Sequence, residues 1–160
     1  MYNSQAEAVK EWLQAYRAND EYIDKKLDEL RELRARMMYP GAQELSDMPR
    51  VPSKQSDKMA DYVIRVEKLE MAIQDAIDVQ EECKKTIEQL MMLLEKPEER
   101  KIMKCRYLFG MEWNDIMVHI YQMEEEYNLK MEAYRRRMYR CHEDALEKMA
   151  KGWSKNGESF

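Results

Sequence analysis

The stretch VKEWLQAYRANDEYIDKKLDELRELRARM, residues 9–37, decides the fold class. Val9, Tyr16, Ile23, Leu30 and Met37 recur at every seventh position, and Leu13, Leu27 and Leu33 widen the stripe. An apolar repeat of seven among charged residues is the pattern of an amphipathic α-helix that seats on another helix. Upstream, Ser4-Gln5-Ala6-Glu7 has the form of a capping box, in which the serine and the glutamate satisfy orphan amides reciprocally, so the helix starts there. Tyr39-Pro40-Gly41 stops it.

Residues 40–56 hold three of the four prolines with Gly41, Ser46, Asp47 and Ser53, which predicts an irregular loop. Ser56 or Asp57 then caps a second long helix. Met59, Val66, Ile73, Ile87 and Leu94 keep the period of seven, with Val63, Leu69, Ile77, Leu90 and Met91 between them, and Gln80 interrupts the series at the seam. Two long helices joined by a loop bury each other's stripes most economically as an antiparallel coiled-coil hairpin over residues 1–96. Trp12 and Tyr62 lie off this seam and leave apolar surface that a homodimer would cover.

Composition agrees with an all-α chain: 37% charged residues, 44% apolar ones, and only four Gly and four Pro in 160 residues. The three cysteines, Cys83, Cys105 and Cys141, are scattered and odd in number, and neither a disulfide framework nor a CxxC metal site follows from them. Cys105 and Cys141 fall on apolar faces and read as small hydrophobes. No run has the length of a membrane span and the N-terminal segment is not a signal peptide, so a cytoplasmic protein is expected. His119 and His142 lack triad or metal companions, and no Gly-rich phosphate loop occurs. The expectation is a non-enzyme without catalytic residues, cofactor or metal.

The net charge is −5, yet two basic runs stand out: Arg100, Lys101, Lys104 and Arg106, then Arg135, Arg136, Arg137 and Arg140. Residues 133–142 contain no acid. Nucleic-acid binding needs only such a local footprint, although a solvated helix face has the same composition. Around these runs, Pro97-Glu98-Glu99 opens a helix that reaches about Leu108, where Phe109-Gly110 ends it. A short helix from about Glu112 carries Trp113, Ile116, Met117 and Ile120, with Trp113 as a core anchor.

Glu99-Arg100-Lys101-Ile102-Met103-Lys104-Cys105-Arg106-Tyr107, Met111-Glu112-Trp113-Asn114-Asp115-Ile116 and the segment from Tyr139 to Met149 together resemble a sigma-factor region-four helix-turn-helix. With Leu45-Ser46-Asp47-Met48-Pro49-Arg50 and Asp57-Lys58-Met59 upstream, the order is similar to the phage ArpU/RinA-like late-transcription and autolysin-regulatory family over most of the chain. The resulting organisation is the hairpin over 1–96, a sigma region-four-like helix-turn-helix over 97–152, which the resemblance implies, and a flexible tail over 153–160. It implies a phage-encoded regulator of late or lysis genes in the bacterial host cytoplasm, with double-stranded DNA and host RNA polymerase as partners. Ile102, Met103, Cys105 and Tyr107 match the core of the family's first helix, Ile116 and Ile120 that of the second, and Met138, Cys141, Leu146 and Met149 that of the recognition helix. Positions that meet base edges correspond to Arg135, Arg136, Tyr139 and Arg140. Arginine suits them, because its planar fork can bond guanine O6 and N7 together. Arg100, Lys104 and Arg106 would meet phosphates, with an internal ion pair as the alternative for Arg106.

The chain departs from the family at residues 121–132, which stand where a turn of about three residues is usual. Met123, Tyr127, Met131, Tyr134, Met138, Cys141, Ala145 and Met149 form one continuous helical stripe, so the recognition helix is expected to begin near Met123 and run to Gly152. That places Arg136 and Arg140 opposite the stripe, with Arg135 and Tyr139 on one flank. Competing functions are a structural or adaptor coiled-coil protein and a small-terminase-like DNA-packaging subunit. The latter suits the chain less, since in such subunits the DNA-binding element usually precedes the oligomerisation helices.

Overall fold

A computed structural model describes residues 4–38 and 52–155, with side chains from residue 57 in the second stretch. The fold is all-α: α1 (Ser4–Met38), α2 (Pro52–Met92), α3 (Pro97–Met103) continuing as a π-helical turn (Lys104–Leu108), α4 (Trp113–Tyr121) and α5 (Met131–Lys155). None of these helices is long and apolar enough to cross a membrane. The chain divides into two compact units that cut across both long helices instead of at residue 96: residues 1–18 with 81–160, and residues 19–80.

In the 19–80 unit the helix segments run antiparallel, Asn19 bonding to Gln80 and Arg34 to Glu70. Ile23, Leu30 and Ile73 are buried as their seven-residue spacing predicts. Gln80, the polar break in that series, is buried and satisfied: Asn19 Nδ2 donates to its Oε1 at 2.7 Å, and its Nε2 donates to Asp20 Oδ1 at 3.1 Å. A buried amide bonded in this way fixes register, since sliding one helix would strand it without partners. Met59 and Val63 remain exposed, contrary to their place in the stripe. Helix α2 begins at Pro52, earlier than Ser56 or Asp57, because proline in a first turn forfeits no helical hydrogen bond. The rest of the expected loop, residues 40–51, lies outside the described residues.

In the other unit the ends of α1 and α2 join α3 and α5. Leu13, Ile87, Leu94, Met103, Ala145 and Met149 lose all solvent contact in one cluster, where a leucine-sized side chain contributes roughly 1.5 to 3 kcal/mol. A second cluster ties α3, α4 and α5 together through Ile102, Cys105, Ile116, Met117, Tyr121 and Met138. Trp12 is not left over from the seam: it meets Trp153 edge-on with ring centroids 4.6 Å apart, which removes it as an argument for a dimer. Trp153 through Lys155, expected as part of a flexible tail, are helical; residues 156–160 lie outside the described residues.

Helix α3 ends where Phe109-Gly110 predicts. Phe109 N–H donates to the Lys104 carbonyl at 3.0 Å, and Gly110 takes φ +66°. An added Cβ at Gly110 would meet no atom, so the requirement for glycine is the left-handed backbone alone. Gly110→Ala is therefore expected to destabilise this unit by about 1 kcal/mol and Gly110→Asn by less, read from urea denaturation followed by circular dichroism.

Candidate nucleic-acid interface

Helix α5 is the element on which the candidate reading residues converge. Met138, His142, Ala145, Leu146, Met149 and Ala150 are buried, and at about 100° per residue they fall on one face. Arg136 and Arg140 lie on the opposite face and are exposed, as expected. Arg136 approaches Glu132 at 3.8 Å, an exposed pair one turn apart that is worth little. Arg140 has no ion-pair partner among the described residues.

The other expected readers on α5, Arg135 and Tyr139, are partly covered by neighbours, though Tyr139 is still 39% exposed. Arg135 is half-buried, its Nε enclosed without a hydrogen-bond partner among the described residues. The Tyr139 ring meets Trp113 edge-on at 5.2 Å. Arg106 is the internal partner: its Nη1 donates to the Met111 carbonyl at 3.1 Å and lies 3.3 Å from Glu112, while its guanidinium covers Trp113 at 4.7 Å. Arg17 of α1 donates to the Gly110 carbonyl at 3.0 Å and meets Glu112 at 2.5 Å, so two arginines clamp the α3–α4 turn. Arg17 first, then Arg106, holds the Glu112 carboxyl below its ordinary range. Arg100 and Lys104 are exposed on α3.

Two acids that read only as helix-start residues decide how α5 is turned. Glu99 has no exposed surface, and Lys148 Nζ donates to both of its carboxylate oxygens at 2.9 Å. Glu98 accepts from Arg137 at 2.7 Å and from the Tyr121 hydroxyl. Burial works to raise the Glu98 pKa, but the bonds from Arg137 and Tyr121 outweigh it and hold the carboxyl below its usual value. The same site pushes the Tyr121 phenol up, through burial first and the Glu98 carboxylate second. Arg137 and Lys148 stand three turns apart along one edge of α5, so α3 grips that edge and leaves the Arg136–Arg140 face turned outward. The only sequence signal was Glu98-Glu99 after Pro97; the partners on α5 are too distant in the chain to be paired by inspection.

The extension expected before α5 is absent. Residues 122–130 are turns and bends, and α5 begins at Met131. Glu126 adopts φ +55°, a left-handed conformation that ends any helix stripe passing through it. Tyr134 stabilises this turn: its hydroxyl donates to the Glu125 carbonyl at 3.0 Å, and its ring lies 5.2 Å from Tyr121 and 6.1 Å from Tyr127. Tyr127 thus packs as its place in the stripe suggested, but from a turn, while Met123 is 91% exposed. The acid-free residues 133–142 therefore stand near the beginning of the helix.

Behind the site, the Tyr107 hydroxyl and His142 Nε2 are 2.8 Å apart in the interior, with Trp113 against the imidazole at 4.8 Å. In the tautomer protonated at Nδ1, Nε2 accepts the phenolic hydrogen. Burial drives the Tyr107 phenol up to about 12, and burial, then Lys10 and Arg106, drives His142 down to about 4. Among the described residues no group of His, Cys, Asp and Glu is placed to hold a metal ion. Comparison of the chain with protein-family models, with curated proteins and with solved structures finds no match.

Two outcomes follow from this geometry. An unfolded chain protonates histidine near 6.5, whereas folded His142 resists until about 4, so stability present above 6.5 is lost as pH falls between these values. The loss amounts to about 3 kcal/mol, and His142→Phe should flatten that part of a stability-against-pH curve measured by denaturant titration. Lys148→Met leaves the buried Glu99 carboxylate without its nearest cation and should lower the melting temperature well beyond the effect of Lys101→Met, an exposed control.

Proposed function

We propose that this chain is a phage-encoded transcriptional regulator of late or lysis genes, whose α4–turn–α5 segment acts as a helix-turn-helix on double-stranded DNA. The observation that carries the reading is the outward face of the first half of α5. Arg136 and Arg140 are one turn apart, exposed and opposite the buried stripe, and Ala133 one turn earlier leaves room for close approach of the backbone. Arginine forks so spaced can reach successive base edges in a major groove. Arg100 and Lys104 on α3, exposed and without ion-pair partners among the described residues, supply phosphate contacts. The weak Glu132–Arg136 pair yields readily to a phosphate or a guanine. In this reading the ends of α1 and α2 serve as the platform for the DNA-binding helices, and the 19–80 unit is available for host RNA polymerase or a second copy.

A protein-binding adaptor is the second reading, favoured by one observation: Glu132, Glu143 and Glu147 are exposed on the same outward side of α5, which lowers its net positive charge. Selected-site binding on random duplexes separates the two. The regulator reading expects an enriched motif; Arg136→Ala with Arg140→Ala should erase it, each arginine contributing roughly 1 to 3 kcal/mol of discrimination. Lys104→Ala should instead weaken all sequences equally and reduce the salt slope by about one. Absence of any motif at low salt would leave the adaptor reading standing.

A further inference from the structure

The 19–80 unit carries a groove of about 470 Å³ that the DNA reading does not use. Leu33, Leu69 and Ala72 form its half-buried apolar floor, and Arg36, Arg65 and Lys68 stand exposed around it. None of these three cations has an ion-pair partner among the described residues. Lys26 at the rim is neutralised by Glu29 at 2.9 Å, which leaves Glu32 as the single lining carboxylate without such a partner. The groove is thus apolar below and positive above.

The turn before α5 has the complementary character. Met123 and Leu129 are 91% and 85% exposed, apolar side chains held in water, and Glu124 and Glu125 stand beside Met123 with no ion-pair partner among the described residues. Glu126 is occupied by Lys130 at 2.5 Å. The turn is also ordered in advance: Leu129 and Lys130 N–H both donate to the Glu126 carbonyl at 2.9 Å, and Tyr134 ties down Glu125. A pre-formed projection loses little conformational freedom on docking.

We propose that the acidic, methionine-tipped turn of one copy docks into the basic, apolar-floored groove of a second copy. Met123 or Leu129 enters between Leu33 and Leu69, and Glu124 and Glu125 meet Arg65, Lys68 and Arg36. The contact joins two different surfaces, so it is heterologous: copies add head to tail, closing into a ring or growing as a chain. It is independent of the DNA reading, because no residue assigned to DNA takes part.

Static light scattering and sedimentation velocity on the full chain, at low and high salt, test the proposal. The expected mass rises above that of one chain with concentration at low salt and falls back at high salt, as charged contacts are screened. Glu124→Lys with Glu125→Lys in one variant, and Arg65→Glu with Lys68→Glu in another, should each weaken association by about tenfold or more while circular dichroism stays unchanged. An equal mixture of the two variants should associate again, since the basic turn of the first then matches the acidic groove of the second. A monomer at every concentration at low salt overturns the proposal. So does association that neither variant weakens, or a mixture that fails to recover it.

Discussion

Glu99 has no exposed surface, and its carboxylate is held in the interior by both bonds from Lys148. Removing such a charge from water is unfavourable by several kcal/mol unless a counter-ion follows it, so α3 and α5 have one angular arrangement in which the pair is satisfied. Glu98 repeats the constraint one residue earlier, through Arg137 and Tyr121. Apolar packing alone would tolerate some rotation of α5 about its axis, because methionines at Met138 and Met149 adapt to neighbours. Two ion pairs three turns apart remove that freedom. The outward position of Arg136 and Arg140 is the consequence.

A second layer of polar contacts fixes the elements around α5. Arg17 and Arg106 share Glu112 and the carbonyls of Gly110 and Met111, which sets the entry of α4. Tyr121, Tyr127 and Tyr134 gather where α4 leaves and α5 begins, and they stabilise a left-handed Glu126 that would otherwise be disfavoured by about 1 to 2 kcal/mol. The turn they support carries exposed Met123 and Leu129, so order and apolar exposure coincide there. In the 19–80 unit, Gln80 has the corresponding role with Asn19 and Asp20, setting register at the point where the apolar series is interrupted.

In the basic run from Arg135 to Arg140, the charges do not share one environment. Arg137 is bonded to Glu98, Arg135 is half-buried, and Tyr139 packs on Trp113. Arg136 and Arg140 remain outward. On α3, Arg106 leaves the basic set in the same way, while Arg100 and Lys104 stay in it. Charges of one sign along a helix are divided by the wheel into those facing water and those facing neighbours, and only the neighbours' identities say which are neutralised.

Periodicity determined that the chain is helical and that Val9, Tyr16, Ile23, Leu30 and Ile73 are buried, because burial at seven-residue spacing is a local property of the helix, and Phe109-Gly110 marked where α3 and its π-helical turn end. The prolines were a weaker guide: Pro52 starts a helix that its neighbours suggested would begin later, since proline excludes helix interiors and not first turns. The stripe through Met123, Tyr127 and Met131 misled, because an in-phase tyrosine can reach its packing site from a turn as well as from a helix. Only the tertiary structure decided the start of α5, the pairing of Glu98 and Glu99 with Arg137 and Lys148, and the engagement of Arg106 with Glu112 and of Tyr139 with Trp113. The reason is physical: each of these depends on which side chain, near or distant in the chain, comes within hydrogen-bond or ring-contact distance, and neither composition nor spacing contains that information.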